Sequence, residues 1–487
     1  MNWEMVIGLE THVELSTQSK VFCTCPTAFG AEPNTHVCPV CMGLPGALPV
    51  FNEQVLRYAA TAGFALHCHV HHRSRFDRKN YFYPDLPKAY QISQFYRPLC
   101  EGGWLTVQTS AGERKIGITR IHIEEDAGKL LHDEQNGTML DMNRCGVPLI
   151  EIVSEPDIRT AEEAVGYLRK VRAILTYTGV SDCRMNEGSL RCDVNLSIHH
   201  PGEPFGVRTE MKNLNSFQSV ERAIQAEFER QVAAVEAGEE IVQETRRYDQ
   251  KTGKTSSMRR KENSADYRYF PDPDLPEVSL TDEDMAQIRD AIPTLPDARR
   301  EAYMREYGLS AYAAEQLTAE RWLAEYFEEA AAVAQSPVGV ANLLQGEVFA
   351  LLGARAAEAE KAGLPLPEGR ASLPIPPARL AKLSDLLCAG RVNSSTGKKI
   401  LAALFCEDCD PEAYAAAHEL FTVGDDDTLS QAVAQTLREN PDLLASYRGG
   451  KLTVEKALMG KAMAITRGKA NPERLAELLR AALAAEH

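Results

Sequence analysis

Polar and apolar residues alternate from the first residues of the chain. In "IGLETHVEL", Ile7, Leu9, Val13 and Leu15 share one face with Thr11 between them, while Gly8, Glu10, His12 and Glu14 share the other. A two-residue period predicts a strand with one buried face. Four later stretches repeat it. Ile121, Ile123 and Glu125 alternate with His122 and Glu124, and Ile150 and Ile152 flank Glu151. Val194, Leu196 and Ile198 alternate with Asp193, Asn195 and Ser197, and Val207, Thr209 and Met211 with Arg208, Glu210 and Lys212. Two segments switch to a helical period. Thr160 and Glu163 have the spacing of a capping box, followed by a stripe of Val165, Leu168, Val171 and Leu175 and a stop at Gly179. A second helix is expected after Asn215–Ser216, with Val220, Ile224, Phe228 and Val232 on one side. Such helices would cover the apolar face of a sheet and leave the acidic face free.

Near residue 295 the texture changes to Ala, Leu, Glu and Arg, as in "AYMREYGLSAYAAEQLTAERWLAEYF", after the prolines of "IPTLPDARR". The predicted architecture is α+β, in three parts. Residues 1–293 form a domain with a largely antiparallel sheet flanked by helices, 294–408 an all-α domain, and 409–487 a small all-α tail.

A carboxylate centred in an apolar run such as "PLIEIV" needs a partner, because unpaired burial costs several kcal/mol, roughly. If these strands are neighbours, Glu10, His12, Glu125, Glu151, Asp193 and Glu210 share one cleft. Oxygen ligands with one imidazole suit Mg²⁺ or Mn²⁺ better than Zn²⁺. In "FDRKNYFYPDLPKAY", Arg78 and Lys79 suit phosphate oxygens and Tyr81 suits a base. The stretch "KTGKTSS" is no P-loop, since Tyr248 stands where the motif needs glycine.

The composition is that of a globular chain: 487 residues, 44 % apolar and 25 % charged. The net charge of −16 argues against a general nucleic-acid binder, although residues 448–487 hold eight Lys/Arg against four Asp/Glu. Lys461, Arg467 and Lys469 in that tail are candidate RNA contacts. No signal peptide and no membrane-spanning run are expected, which suggests a cytoplasmic protein. Twelve cysteines in that setting read as thiols or metal ligands. Cys23-x-Cys25 and Cys38-x-x-Cys41 fit a structural Zn²⁺ site with four thiolates.

Together "VIGLETHVEL", "FDRKNYFYPDLPKAYQISQ", "HIEEDAGK", "NRCGVPLIEIVSEPD", "EGSLRCDVN", "MKNLNSF", "DYRYFPDPDLP", "ANLLQGEV" and "GKANPE" resemble the B subunits of glutamyl/aspartyl-tRNA amidotransferases. The resemblance implies a glutamine-synthetase-like cradle, a helical domain and a tRNA-binding tail. It implies ATP-dependent phosphorylation of the side-chain carboxylate on mischarged Glu-tRNA(Gln) or Asp-tRNA(Asn), then amidation by ammonia. The ammonia would come from an A-type amidase partner, with a small C-type partner completing a heterotrimer. The resemblance makes Glu10, His12, Glu125, Glu151, Asp193 and Glu210 the Mg²⁺ ligands. Glu10, His12, Glu125 and Glu210 are the expected catalytic residues, with Glu125 or Glu210 as acceptor of the ammonium proton.

Overall fold

A computed structural model describes residues 3–133, 137–260, 267–365, 369–422, 426–448, 451, 453–466 and 468–485. The chain divides into two compact units, Met1–Leu295 and Pro296–His487. The break falls at the prolines where the texture of the sequence changes.

The first unit is built on a nine-stranded sheet. Its spatial order is Lys254–Arg260, Glu244–Asp249, Thr209–Leu214, Leu190–His199, Glu4–Glu14, Pro148–Ser154, Gly112–Glu125, Cys100–Thr109 and His69–Val70. All neighbours are antiparallel except Thr209–Leu214 with Glu244–Asp249. Directly opposed residues of paired strands share a face. The register sets His12 against Glu151, Glu151 against His122, Glu10 against Asp193 and Asn195 against Glu210. These polar residues therefore line one face of five adjacent strands.

The other face is apolar. Ile7, Leu9, Val13, Ile121, Ile123, Ile150, Ile152, Val194 and Leu196 are buried there with side chains of helices Glu53–Ala65, Ala161–Tyr177 and Phe217–Glu236. Each such side chain contributes about 1.5–3 kcal/mol by leaving water, so a one-residue slip that exposed the set is strongly disfavoured. The two expected helices form as the sequence predicts. Thr160 caps the first, its Oγ1 accepting from Glu163 N, and Glu163 accepts from Arg159 N. Ser216 caps the second, in which Val220 and Ile224 are fully buried. The stretch containing "KTGKT" is the turn of the hairpin joining Glu244–Asp249 to Lys254–Arg260, consistent with the rejection of a P-loop.

A small sheet of Phe270–Pro271, Asp77–Asn80 and Tyr90–Ser93 adjoins the Gly112–Glu125 strand, with Gln91 donating to the Glu125 carbonyl and Gln94 accepting from Ile123 N.

The second unit is helical, with two apolar cores. One runs from Tyr303 to Leu420, the other from Leu429 to Leu483. Ala415 and Leu420 belong to the first of these cores. One helical run, Pro337–Ala362, is long and apolar enough by composition to cross a bilayer, where the sequence reading expected none. Its first half is buried in the unit's own core through Val340, Ala341, Leu344 and Val348, and its second half bears Arg355, Glu358, Glu360 and Lys361.

Candidate metal centres and phosphate pocket

Alternation turns the acids of the central strands toward one face, and strand pairing brings them together in two groups. In the first, one ligand atom from each of His12, Glu124 and Glu151 lies within 4.8 Å of the others. In the second, the same holds for Glu10, Asp193 and Glu210. His12 and Glu10 are two residues apart on one strand, so the groups are neighbours.

The first group is held by the buried His122 and the half-buried Lys79. His122 Nε2 lies 3.2 Å from Glu151 and 3.7 Å from Glu124. Burial works against its charge, but Glu151 and Glu124 push the imidazole up to about 9. Burial would raise the Glu151 carboxyl, yet His122, His12 and Lys79 hold it well below the carboxylate range. Lys79 sits against the rings of Tyr267 and Tyr81, at 4.9 and 5.7 Å. Burial opposes its charge, while Glu124, Tyr269 and Glu151 keep it protonated above the usual lysine value.

The second group pairs with Lys212. Lys212 Nζ lies 2.5 Å from Asp193 Oδ2 and 3.1 Å from Glu210 Oε1. Glu10 accepts from the neutral Asn195 amide at 3.0 Å. Burial raises the Glu10 carboxyl, and Glu151, Glu210 and Asp193 raise it further. Three converging carboxylates fit a hard divalent cation, as do two carboxylates with one imidazole. Further along the first strand, Glu14 is pushed up to about 8 by burial and by Asp126.

A cavity of ≈ 780 Å³ opens beside these groups. His12, Asp193, Arg191, Lys212, Arg247 and Lys251 line it. Its cationic wall and acidic floor suit a phosphate-bearing ligand accompanied by a cation.

Several expected residues fall elsewhere. Glu125 belongs to neither acid group. Strand parity turns it to the face of Ile121 and Ile123, where both oxygens meet Lys88 Nζ at 2.5 Å and one accepts from Ile92 N at 2.9 Å. Its neighbour Glu124 takes the place expected of it. Arg78 is engaged by Asp272 at 2.9 Å and Asp274 at 2.7 Å, so of the two adjacent cations only Lys79 faces the acids. Tyr81 faces Lys79 and Glu124, and burial raises its hydroxyl above the usual value. His122, Glu124, Lys212 and Asn195 were missed as site residues, although each lies at the polar parity of an expected strand.

The four cysteines do converge: Cys23, Cys25, Cys38 and Cys41 place their sulfurs within 4.8 Å of one another, a donor set suited to Zn²⁺ with no open position. Lys20 is wholly buried beside them, its ammonium 2.6 Å from His36 O, 3.4 Å from Met142 O and 3.6 Å from Cys41 Sγ. The hydrogen bond from Cys23 and the charge of Lys20 are among the contacts that hold the Cys41 thiol down to about 4 against burial. In the tail, Lys461 is exposed on helix Val454–Ile465, and Lys469 lies 3.5 Å from Glu419. Arg467 lies outside the described residues.

The model of the GatB/GatE catalytic domain matches residues 5–286, and that of the GatB domain matches residues 325–483. The chain is 49 % identical over 482 residues to the aspartyl/glutamyl-tRNA(Asn/Gln) amidotransferase B subunit of Caldicellulosiruptor saccharolyticus, and the match spans 99 % of each. Proteins of the same name from Carboxydothermus hydrogenoformans and Thermoanaerobacter pseudethanolicus are 47 % and 46 % identical, again over 99 % of both chains. With both family models matched and relatives aligned end to end, the chain belongs to the family of aspartyl/glutamyl-tRNA(Asn/Gln) amidotransferase B subunits.

Proposed function

We propose that this chain is the kinase and transamidase component of a tRNA-dependent amidotransferase. It phosphorylates the side-chain carboxylate of Glu-tRNA(Gln) or Asp-tRNA(Asn) with ATP and converts the acyl phosphate to the amide. The observation that supports this best is the pair of acid groups on adjacent strands beside a cation-lined cavity. A carboxylate resists attack by ammonia until one oxygen is made a leaving group. Phosphorylating it brings two anions together, so the site must neutralise both.

In this reading His12, Glu124 and Glu151 hold one Mg²⁺ or Mn²⁺, and Glu10, Asp193 and Glu210 the other. The ions, when bound, neutralise phosphate and carboxylate charge. Lys79 faces the first group and orients an oxyanion there. Arg247 and Lys251 hold phosphates along the cavity wall, where Arg191 is engaged by Asp126 at 2.6 Å. Of the two expected proton acceptors, only Glu210 lies with the acid groups, while Glu125 pairs with Lys88 on the other face. Ammonia reaches the site from an amidase partner, because a water-accessible acyl phosphate would hydrolyse. The four thiolates hold a structural Zn²⁺. The first unit is a cradle of the glutamine-synthetase type, the helical segment is a second domain, and Lys461, Arg467 and Lys469 of the tail contact tRNA. A cytoplasmic heterotrimer with the A-type amidase and the small C-type partner is the working form.

The test is Glu-tRNA-dependent ATP hydrolysis and amide formation by the heterotrimer. Glu10→Ala and Glu151→Ala are expected to lower both by about 10²–10³-fold, the scale for removing one electrostatic stabiliser. Undiminished amide formation, or tRNA cleavage without ATP, would sink the assignment.

A further inference from the structure

The two acid groups are neutralised in different ways. The cations of the first are locked in place. His122 is 4 % exposed, and Lys79 is packed between tyrosine rings. Lys212, which pairs with Asp193 and Glu210 of the second group, has a side chain that is 41 % exposed. It stands on strand Thr209–Leu214 opposite Arg247, at the edge of the cationic cavity. Its ammonium bridges Asp193 and Glu210, using an oxygen of each. A divalent ion held by Glu10, Asp193 and Glu210 would draw on the same carboxylates and would repel the ammonium. Lys212 lines the cavity together with Arg247 and Lys251, which gives its ammonium open space and a place for anions within reach.

We propose that Lys212 is an exchangeable counter-ion of the Glu10, Asp193 and Glu210 group. It occupies the group before a divalent cation binds and is displaced when the cation enters. Once released, it contacts the phosphates of the nucleotide in the adjacent cavity. The inference rests on the metal-dependent kinase reading and adds an order to it. Cation and nucleotide bind cooperatively at this group because the nucleotide offers the displaced ammonium a new partner. A free cation must compete with Lys212, whereas a cation arriving with nucleotide does not.

The experiment is a Mn²⁺ titration of the full chain, followed by electron paramagnetic resonance of free Mn²⁺, with and without a non-hydrolysable ATP analogue. Lys212→Met removes the competing charge, and Lys212→Arg retains it. Without nucleotide, K212M is expected to bind Mn²⁺ at this group at least ~5-fold more tightly than the native chain, the lower end of typical coupling between sites. The analogue should raise the affinity of the native chain and of K212R more than that of K212M. Asp193→Asn identifies the site, and Mn²⁺ held by the His12, Glu124 and Glu151 group reports that each variant is folded. If an Asp193-dependent site is present but K212M binds no more tightly than the native chain, the counter-ion proposal is overturned and the kinase reading stands. If no variant shows an Asp193-dependent site, both fall.

Discussion

Glu227 offers a quantitative test of how the acid-bearing edge of the sheet is held. It sits on helix Phe217–Glu236 and is wholly buried. Its carboxylate accepts from Thr209 Oγ1 at 2.8 Å, Thr255 Oγ1 at 2.7 Å, Gln231 Nε2 at 3.1 Å and Arg230 at 2.6 and 3.0 Å. Arg246 Nε lies 3.1 Å away. One side chain thus ties the helix to the strands that present Glu210, Lys212 and Arg247. Glu227→Ala would strip a buried partner from Arg246, which keeps Glu244, and from Arg230, which is 30 % exposed and can rehydrate. Breaking a buried ion pair costs about 3–5 kcal/mol. At about 2–4 °C per kcal/mol, the melting temperature of the first unit should fall by about 6–20 °C.

The effect also has a pH signature. Burial alone would raise the Glu227 carboxyl, but hydrogen bonds from Arg230, Thr255 and Gln231 hold it below its ordinary value. A folded value below the unfolded one stabilises the protein fully above about pH 4.3, and that contribution is lost as pH falls through the folded value. Thermal melts of the native chain and of Glu227→Gln should therefore keep a constant gap from about pH 5 upward and converge in acid. An alanine variant that melts within about 2 °C of the native chain, or a gap that closes as pH rises, would refute the reasoning.

The parity of the Gly112–Glu125 strand makes a sharper claim about two adjacent residues. Glu124→Gln should weaken Mn²⁺ binding by the His12 group about 10–100-fold, as expected for disturbing a metal's protein environment, while Glu125→Gln should leave that binding unchanged. Equilibrium dialysis with both variants decides it, and equal losses would contradict the observed faces. The cysteine cluster should hold one zinc per chain, measured by elemental analysis, and Cys41→Ser should lose it. Lys20→Met should release zinc to a chelator about 10–100-fold faster than Lys20→Arg; equal rates would show that the buried ammonium does not stabilise the thiolates.

Much of the site was legible in the sequence because side-chain direction along a strand is a local property. Alternation alone put Glu10, His12, Glu151, Asp193 and Glu210 on polar faces, and the helical stripes of Val165–Leu175 and Val220–Ile224 supplied the cover for the other side. The same rule sets Glu124 and Glu125 on opposite faces. Grouping Glu125 with the other acids of the strands overlooked that parity, since Glu125 shares the face of Ile121 and Ile123. The cysteine cluster was readable because the spacing of its four members is local as well.

Other features depend on long-range pairing, which no local pattern encodes. Glu10 meets Asp193 and His12 meets Glu151 only because strands far apart in the chain are neighbours in the sheet. That order divides five of the six expected ligands between two groups, His12 with Glu151 and Glu10 with Asp193 and Glu210, and Glu124 completes the first. Arg78 and Lys79 look alike in sequence, yet Asp272 and Asp274 capture the first while the second faces Glu124 and Glu151. Lys212 was one more residue on a polar face until packing placed its ammonium between two carboxylates. Periodicity is set by backbone geometry and survives in the sequence. Which charges meet is set by the pairing and packing of whole elements, and only the folded chain decides it.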